Sequence, residues 1–374
     1  MALLSLTACS SSSDETSGGG GGASPEQVVS KLKTAGLPQV AKSLESAVQF
    51  EGKLEDGTPF KIDDRILKKV ESGQAINYVF SYQSTSVALL SYQLKSGYDA
   101  SLPLANEMLP LKGKALAPSA ATDTPAQIAQ VQALLDTNQI DCLSIQQADL
   151  NAMNQIRDQA LAKGIPVFMV NVESNGAEIS QFRQDRTKEG VGAANTLIEW
   201  IKETGTAPKK IALSSGEPSA AWSTGRLNGF VDTLKKAYPD ITFANTPQAP
   251  LKAPYDPAQA YDAYKAFLTG NTDVDFIVNA DLSIEQAARA INDLGRTGKI
   301  HTLGWNPSEG QFEAIEKGTQ VASLDQGWPE HGGFGAVACA SLLGRNLVMQ
   351  NTQEPGVITR ANLDEARAAL KQAS

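Results

Sequence analysis

The chain has 374 residues, 41% hydrophobic and 20% charged, the balance of a soluble globular protein long enough for two cores. The 41 acidic residues exceed the 32 basic ones, for a net charge of −9, which argues against a nucleic-acid face or an anionic membrane surface. No run reaches the roughly 18–20 apolar residues of a membrane helix, and two histidines (His301, His331) with three cysteines leave no zinc or haem set, so no metal or cofactor is expected.

At the N-terminus, Leu6-Thr7-Ala8-Cys9 resembles the bacterial lipobox. The small residue before Cys9 suits the signal peptidase, and the thiol would accept the diacylglycerol. Ser10 to Ala23, rich in Ser and Gly, reads as a flexible tether. Residues 1–23 are thus expected to be a signal remnant and tether, with lipidation at Cys9 anchoring the protein outside the cytoplasmic membrane. Residues 24–74 read as a small helical appendage. Ser24-Pro25-Glu26-Gln27 is a capping box with Pro at the first helical position, and Val28, Val29 and Leu32 supply an apolar face. A second helix is predicted over 40–48, and Asp56-Gly57 between Lys53-Leu54 and Phe60-Ile62 is a hairpin signal.

From Ala75 onward, short apolar runs alternate with amphipathic stretches. Strands are predicted at 76–82, 111–116, 140–145, 165–170, 210–215, 275–280 and 300–305. A helix is expected after the first strand, through Leu94. Thr124-Pro125-Ala126-Gln127 reads as a second capping box opening a helix to Leu135. Asp149 is expected to cap a helix with Met153, Ile156 and Ala160 inward and Gly164 at its end. Ser283 with Gln286 would cap another, with Ala287, Ile291 and Leu294 inward. Cys142 and Cys339, in an apolar strand and an Ala-rich helix, read as buried free thiols, with a disulfide between them as the lesser alternative. The fold class is α/β, and such units either close as a barrel or split into two open sheets. In open sheets ligands bind at the carboxyl ends of the strands. The residues there are polar and aromatic. No nucleophile elbow and no phosphate loop occurs. The residues therefore point to a binder of a small polar molecule and not to an enzyme.

The segment from about Ile76 to the C-terminus resembles the type I periplasmic binding proteins of the ribose and galactose class, the solute-binding subunits of ABC sugar importers. Four stretches carry the resemblance: Gln127 to Val170; Lys210-Ile211-Ala212-Leu213 through Gly225-Arg226-Leu227-Asn228-Gly229-Phe230; Asp275 to Asp281 with Ala287 to Ile291; and Thr302-Leu303-Gly304-Trp305-Asn306 with Val321 to Gln326. The resemblance implies two similar Rossmann-like lobes, each a parallel sheet flanked by helices, joined by a three-segment hinge. Crossings are expected near Asp185, Gln326 and Pro355. The first lobe would be 75–185 plus 327–355, and the second 186–326 plus 356–374. Ligand would sit between lobes that close by hinge bending, and the closed form would be recognised by the permease. A monomer is expected.

Carried over residue by residue, the resemblance places Arg226 on sugar oxygens, where its fork of donors suits adjacent hydroxyls. Trp305 would stack on the apolar face of a pyranose, and Gln326 would be a ligand-binding hinge amide. Asn171 and Asn306 stand where sugar binders usually place Asp. Gln146 and Gln147 follow a strand end where the family often carries an amide. Trp222 is a second stacking candidate, and Tyr82 with Gln83 a third. Asp281 reads as a helix cap. Val172 and Ala280 also depart from the family's usual Arg and Asn. With two carboxylates replaced by amides and Arg183 and Arg186 near the first crossing, the pocket is expected to take a neutral sugar or polyol, or a carboxylated ligand. Within the same fold the output could instead be sensing, through a chemoreceptor or sensor kinase.

Overall fold

The computed structural model describes residues 22–87, 89–120, 123–174 and 176–372. The lipidation candidate Cys9 and most of the tether lie outside them.

The apolar runs fold into two open sheets, which excludes the barrel. The first sheet is parallel throughout and runs, in spatial order, Leu111–Leu116, Ile76–Ser81, Cys142–Ile145, Val167–Val170 and Ser180–Phe182. The second runs Gly356–Ile358, Gln320–Asp325, His301–Trp305, Phe276–Asn279, Lys210–Ser215 and Thr242–Phe243, with Leu251–Lys252 beside the end of the Lys210 strand. Only its edge strand, Gly356–Ile358, is antiparallel. The central strands Cys142–Ile145, Val167–Val170 and Phe276–Asn279 are buried at every position. That is why they read as continuous apolar runs: helices cover both faces.

The chain leaves the first sheet after Phe182 and builds most of the second. It then returns with the helix Trp328–Arg345, which is buried along almost its whole length in the first core. Phe334 of that helix stacks on Phe182, ring centres 4.5 Å apart. Gly356–Ile358 then completes the second sheet.

The appendage belongs to the first core. Val28, Leu32, Val40 and Ile66 are fully buried there, and Val48–Gln49 pairs antiparallel with Leu347–Val348. Two buried carboxylates tie it down. Asp141 accepts from Arg65, from Lys69 Nζ at 2.6 Å and from the Asn77 N–H at 2.9 Å. Glu330 accepts the Gln39 and Val40 N–H groups, both at 2.9 Å. These are orphan donors of the helix Pro38–Glu45, whose N-cap Leu37 has no side chain to offer. Burial pushes the Glu330 carboxyl up to about 7, against those two hydrogen bonds.

Several local expectations need correction. The second appendage helix runs Pro38–Glu45, and a further helix, Asp64–Glu71, was not anticipated; Asp63 caps it by accepting from the Arg65 N–H. The Asp56-Gly57 turn supports one bridge, Lys53 to Pro59, not a hairpin of strands. The helix after the first sheet strand starts as a π-helical turn, Leu89–Leu94, and continues as Lys95–Met108. Asp123, not Thr124, caps the next helix. Gln127 instead reaches across to Ser81 Oγ at 3.1 Å and the Gln146 carbonyl at 3.0 Å. Asp149 accepts the Asn151 N–H within a turn, and its helix begins at Asn154. Ser283 Oγ donates to Asp281 rather than capping. Cys142 and Cys339 are not free thiols: they form a disulfide, Cα atoms 6.3 Å apart. The returning helix packs on the strand that carries Cys142, a juxtaposition that a separation of 197 residues hides in sequence.

Candidate functional site

The carboxyl ends of both sheets and the segments between them border a cavity of about 710 Å³. Most of its lining residues follow strand ends, as open α/β sheets dictate.

Two asparagines end strands from opposite sheets. Asn171 follows Val167–Val170 with φ +67°, and Asn306 follows His301–Trp305 with φ +63°. Asn is among the few non-glycine residues enriched in this left-handed region. Asn306 Oδ1 accepts from Gln326 Nε2 at 2.5 Å and from Trp328 Nε1 at 3.0 Å. The Nδ2 of Asn171 is buried and has no partner among the described residues.

A buried ion cluster stands beside them. Arg226, on the helix Ala221–Ala237, is 2% exposed; its Nε donates to Glu189 Oε2 at 2.5 Å and its Nη1 to the Ala280 carbonyl at 2.7 Å. Glu189, on the helix Arg186–Thr204, is wholly buried, and its Oε1 accepts from Arg186 Nη1 at 2.9 Å. Arg186 also donates to Gln326 Oε1 at 3.1 Å and to the Asn171 carbonyl. One carboxylate thus holds two guanidiniums. The two helices lie close enough for this because of Gly190 and Gly229. A Cβ at Gly190 would sit 2.0 Å from the Arg226 carbonyl oxygen, and one at Gly229 2.2 Å from that of Thr187.

Three acids line the cavity: Asp281, Glu217 and Glu309. Burial raises the Asp281 carboxyl, against N–H bonds from Gly216 at 2.5 Å and Ser283 at 3.0 Å. The N-cap position of the next helix is Ser283, not Asp281, so the expected capping role gives way to a place in the wall. Burial, then the nearby Asp281 charge, raises Glu217 as well.

Six of the proposed contacts line the cavity: Arg226, Asn306, Gln326, Asn171, Trp222 and Gln146, with Gln83 beside them. Trp305 and Tyr82 do not. Trp305 is 0% exposed in the second core, its ring 5.4 Å from the Arg226 guanidinium, so it supports that residue from behind and has no face for a ligand. Tyr82 is stacked on Phe80 at 5.5 Å. Gln147 turns away to the Glu173 carbonyl at 2.8 Å, and Arg183 pairs with Glu173 at 3.0 Å. The aromatic lining comes from Tyr92, Trp222, Trp328 and Tyr255. Trp328 was legible two residues after Gln326. Tyr255 and Glu189 had no motif to mark them, since a buried helix acid looks like any surface one.

A model of the periplasmic binding protein domain matches residues 102–346. The chain belongs to that family, and its fold is that of the type I periplasmic binding proteins. Over 217 residues, 55% of this chain and 67% of the other, it is 24% identical to the D-allose-binding periplasmic protein of Escherichia coli (strain K12). It superposes on an ABC transporter solute-binding protein from Agrobacterium vitis with bound D-fucose, at a TM-score of 0.65 and 21% identity, over 78% of this chain and 98% of that one. A solute-binding protein from Actinobacillus succinogenes with bound D-allose gives 0.67 and 16%, over 78% and 99%. A Caulobacter myo-inositol binding protein gives 0.64 and 17%, over 79% and 97%.

Proposed function

We propose that this protein is an extracytoplasmic solute-binding lipoprotein of an ABC importer, and that it holds a neutral sugar or polyol between two lobes. The observation that carries the reading is the cavity wall. Arg226, Arg186, Gln326, Asn306 and Trp328 are already fixed by one another, while the buried Asn171 Nδ2 waits for an acceptor. Fixed donors on several elements suit a ring of hydroxyls, and an unmet buried N–H is costly until a ligand meets it. The two arginines are offset by Glu189, Asp281 and Glu217, which favours a neutral ligand over a carboxylate. That the relatives named above bind allose, fucose and myo-inositol supports the same choice.

The lobes are taken as 75–185 with 327–355, and 186–326 with 356–374. Arg186, Gln326 and the stretch before Gly356 would form the hinge. Closure would present one composite surface to the permease, and Cys9 would carry the lipid. The protein would act as a monomer and without turnover of its ligand.

The test is a thermal-shift screen of the full chain against neutral sugars, polyols, sugar acids and amino acids. A ligand at a hundredfold excess over its dissociation constant adds about 2.7 kcal/mol to stability. Hits among neutral sugars or polyols are expected. Hits confined to acids would transfer the specificity to Arg226 and Arg186. Silence across all classes would overturn the sugar reading.

A further inference from the structure

The cavity wall has two groups of residues of different chemistry. One is a single hydrogen-bonded net, in which Arg186 and Gln326 are joined to Asn171 and Asn306. The other is Leu89, Leu90, Tyr92, Leu282, Pro307 and Leu370, and apart from the tip of Tyr92 these six offer no polar side-chain atom; Gln93 on the same turn and Ser308 and Glu309 after Pro307 add polar groups to the wall. The six come from four separate places: the π-helical turn Leu89–Leu94, the loop after Phe276–Asn279, the loop after His301–Trp305, and the C-terminal helix Leu363–Gln372.

Two features set the first of these apart. A π-helical turn is rare and frequent at functional sites, because the extra residue re-aims the side chains around it. Tyr92 on that turn is 62% exposed, more than any other large hydrophobic residue described. A free monosaccharide carries hydroxyls around its whole rim. Those facing leucines would lose water and gain no partner, which opposes binding. A ligand with one polyhydroxylated end and one apolar end matches both parts of the wall. At about 710 Å³ the cavity also lies in the upper part of the ~300–1,000 Å³ range of sites for drug-sized ligands.

We infer that the cargo is a glycoside, a sugar or polyol bearing an apolar substituent. Its hydroxyls meet the arginine and amide net, and its substituent lies between Leu89–Tyr92 and Leu282, Pro307 and Leu370. The inference rests on the sugar reading given above and names its substrate class.

The experiment is titration calorimetry of the full chain with the free sugar and the methyl, n-butyl and phenyl glycosides, α and β, of glucose, galactose and allose. Each methylene taken fully out of water is worth about fourfold in affinity. The butyl and phenyl glycosides are therefore expected to bind at least tenfold tighter than the methyl glycoside of the same sugar. Tyr92→Ala and Leu282→Ser are expected to shrink that ratio at least threefold, with folding checked by circular dichroism. If the long glycosides bind no tighter than the methyl ones, the inference fails while the sugar reading stands. If the variants weaken every ligand by one common factor, the apolar residues are a lobe-closing contact, and the inference again fails. Absence of binding by the whole series overturns the sugar reading and the inference with it.

Discussion

The two lobes meet the cavity in opposite styles. The second contributes charge already committed: Arg226 and Arg186 on one buried Glu189, and Asp281 under two backbone N–H groups. The first contributes neutral groups: Gln83 and Gln146 bonded to each other, Asn171 with a buried Nδ2 unpartnered among the described residues, and the apolar turn at Leu89. A buried charge left without a partner is far more costly than a buried amide left without one. Charged groups must therefore be satisfied before any ligand arrives, whereas an amide can wait. The contrast assigns pre-organisation to the second lobe and ligand-dependent bonding to the first.

The strongest way to break that contrast is Glu189→Ala. It leaves two buried guanidiniums without their carboxylate, and about 3–5 kcal/mol of stability should be lost. Denaturant unfolding without ligand measures it; a loss below 1 kcal/mol would mean that the charges are not pre-organised.

The first lobe keeps its own perturbed acid away from the cavity, at the seam with the appendage. The folded-state pKa of Glu330 is raised from 4.5 to about 7. The folded protein therefore holds that proton more tightly than the unfolded chain. Its contribution favours folding below about pH 4.5 and is lost as pH rises towards 7. At about 1.4 kcal/mol per pKa unit the swing is about 3 kcal/mol. Glu330→Gln keeps only one acceptor for the Gln39 and Val40 N–H groups, so it should lower the melting temperature at pH 4.5, and it should flatten the fall in stability that the parent shows from pH 4.5 to 8. Equal shifts at both pH values would refute the assignment.

Two ligand-side variants sharpen the comparison. Arg226→Ala removes charge-assisted donors worth about 1.5–3 kcal/mol each, so affinity for the best ligand should fall by at least tenfold in calorimetry. Stability should fall with it, because Glu189 loses a partner. Asn171→Gly, which keeps the left-handed backbone, should reduce affinity by only about two- to tenfold, the worth of a neutral hydrogen bond. It should change the stability of the ligand-free protein by less than about 1 kcal/mol, because glycine tolerates the left-handed backbone and the Nδ2 has no partner to lose among the described residues. A large drop in ligand-free stability would show that Asn171 is structural.

The contrast between the lobes was only half legible in the chain. Arg226, Gln326, Asn171 and Asn306 could be placed because each follows a strand end or a family motif. Their wiring could not. Glu189 sits on a helix among ordinary charged residues, and nothing local says that it faces Arg226. Trp305 and Tyr82 failed because an aromatic residue at a strand end can point into the core as readily as into the cleft. That choice depends on which helix covers the strand. Tyr255 and Leu370 reach the cavity from segments without a pattern of their own.

By itself the sequence determined the elements and their class. Burial on both faces writes parallel strands as continuous apolar runs, caps and glycines mark helix ends, and these signals act over a few residues. Only the tertiary structure decided what lies far apart in the chain and close in space. It brought the helix Trp328–Arg345 back to the first core, joined Cys142 to Cys339, seated Glu330 on the appendage and set two arginines on one carboxylate. Such contacts depend on desolvation and close packing between distant segments. No local pattern encodes those energies, so they become readable only once the two sheets are in place.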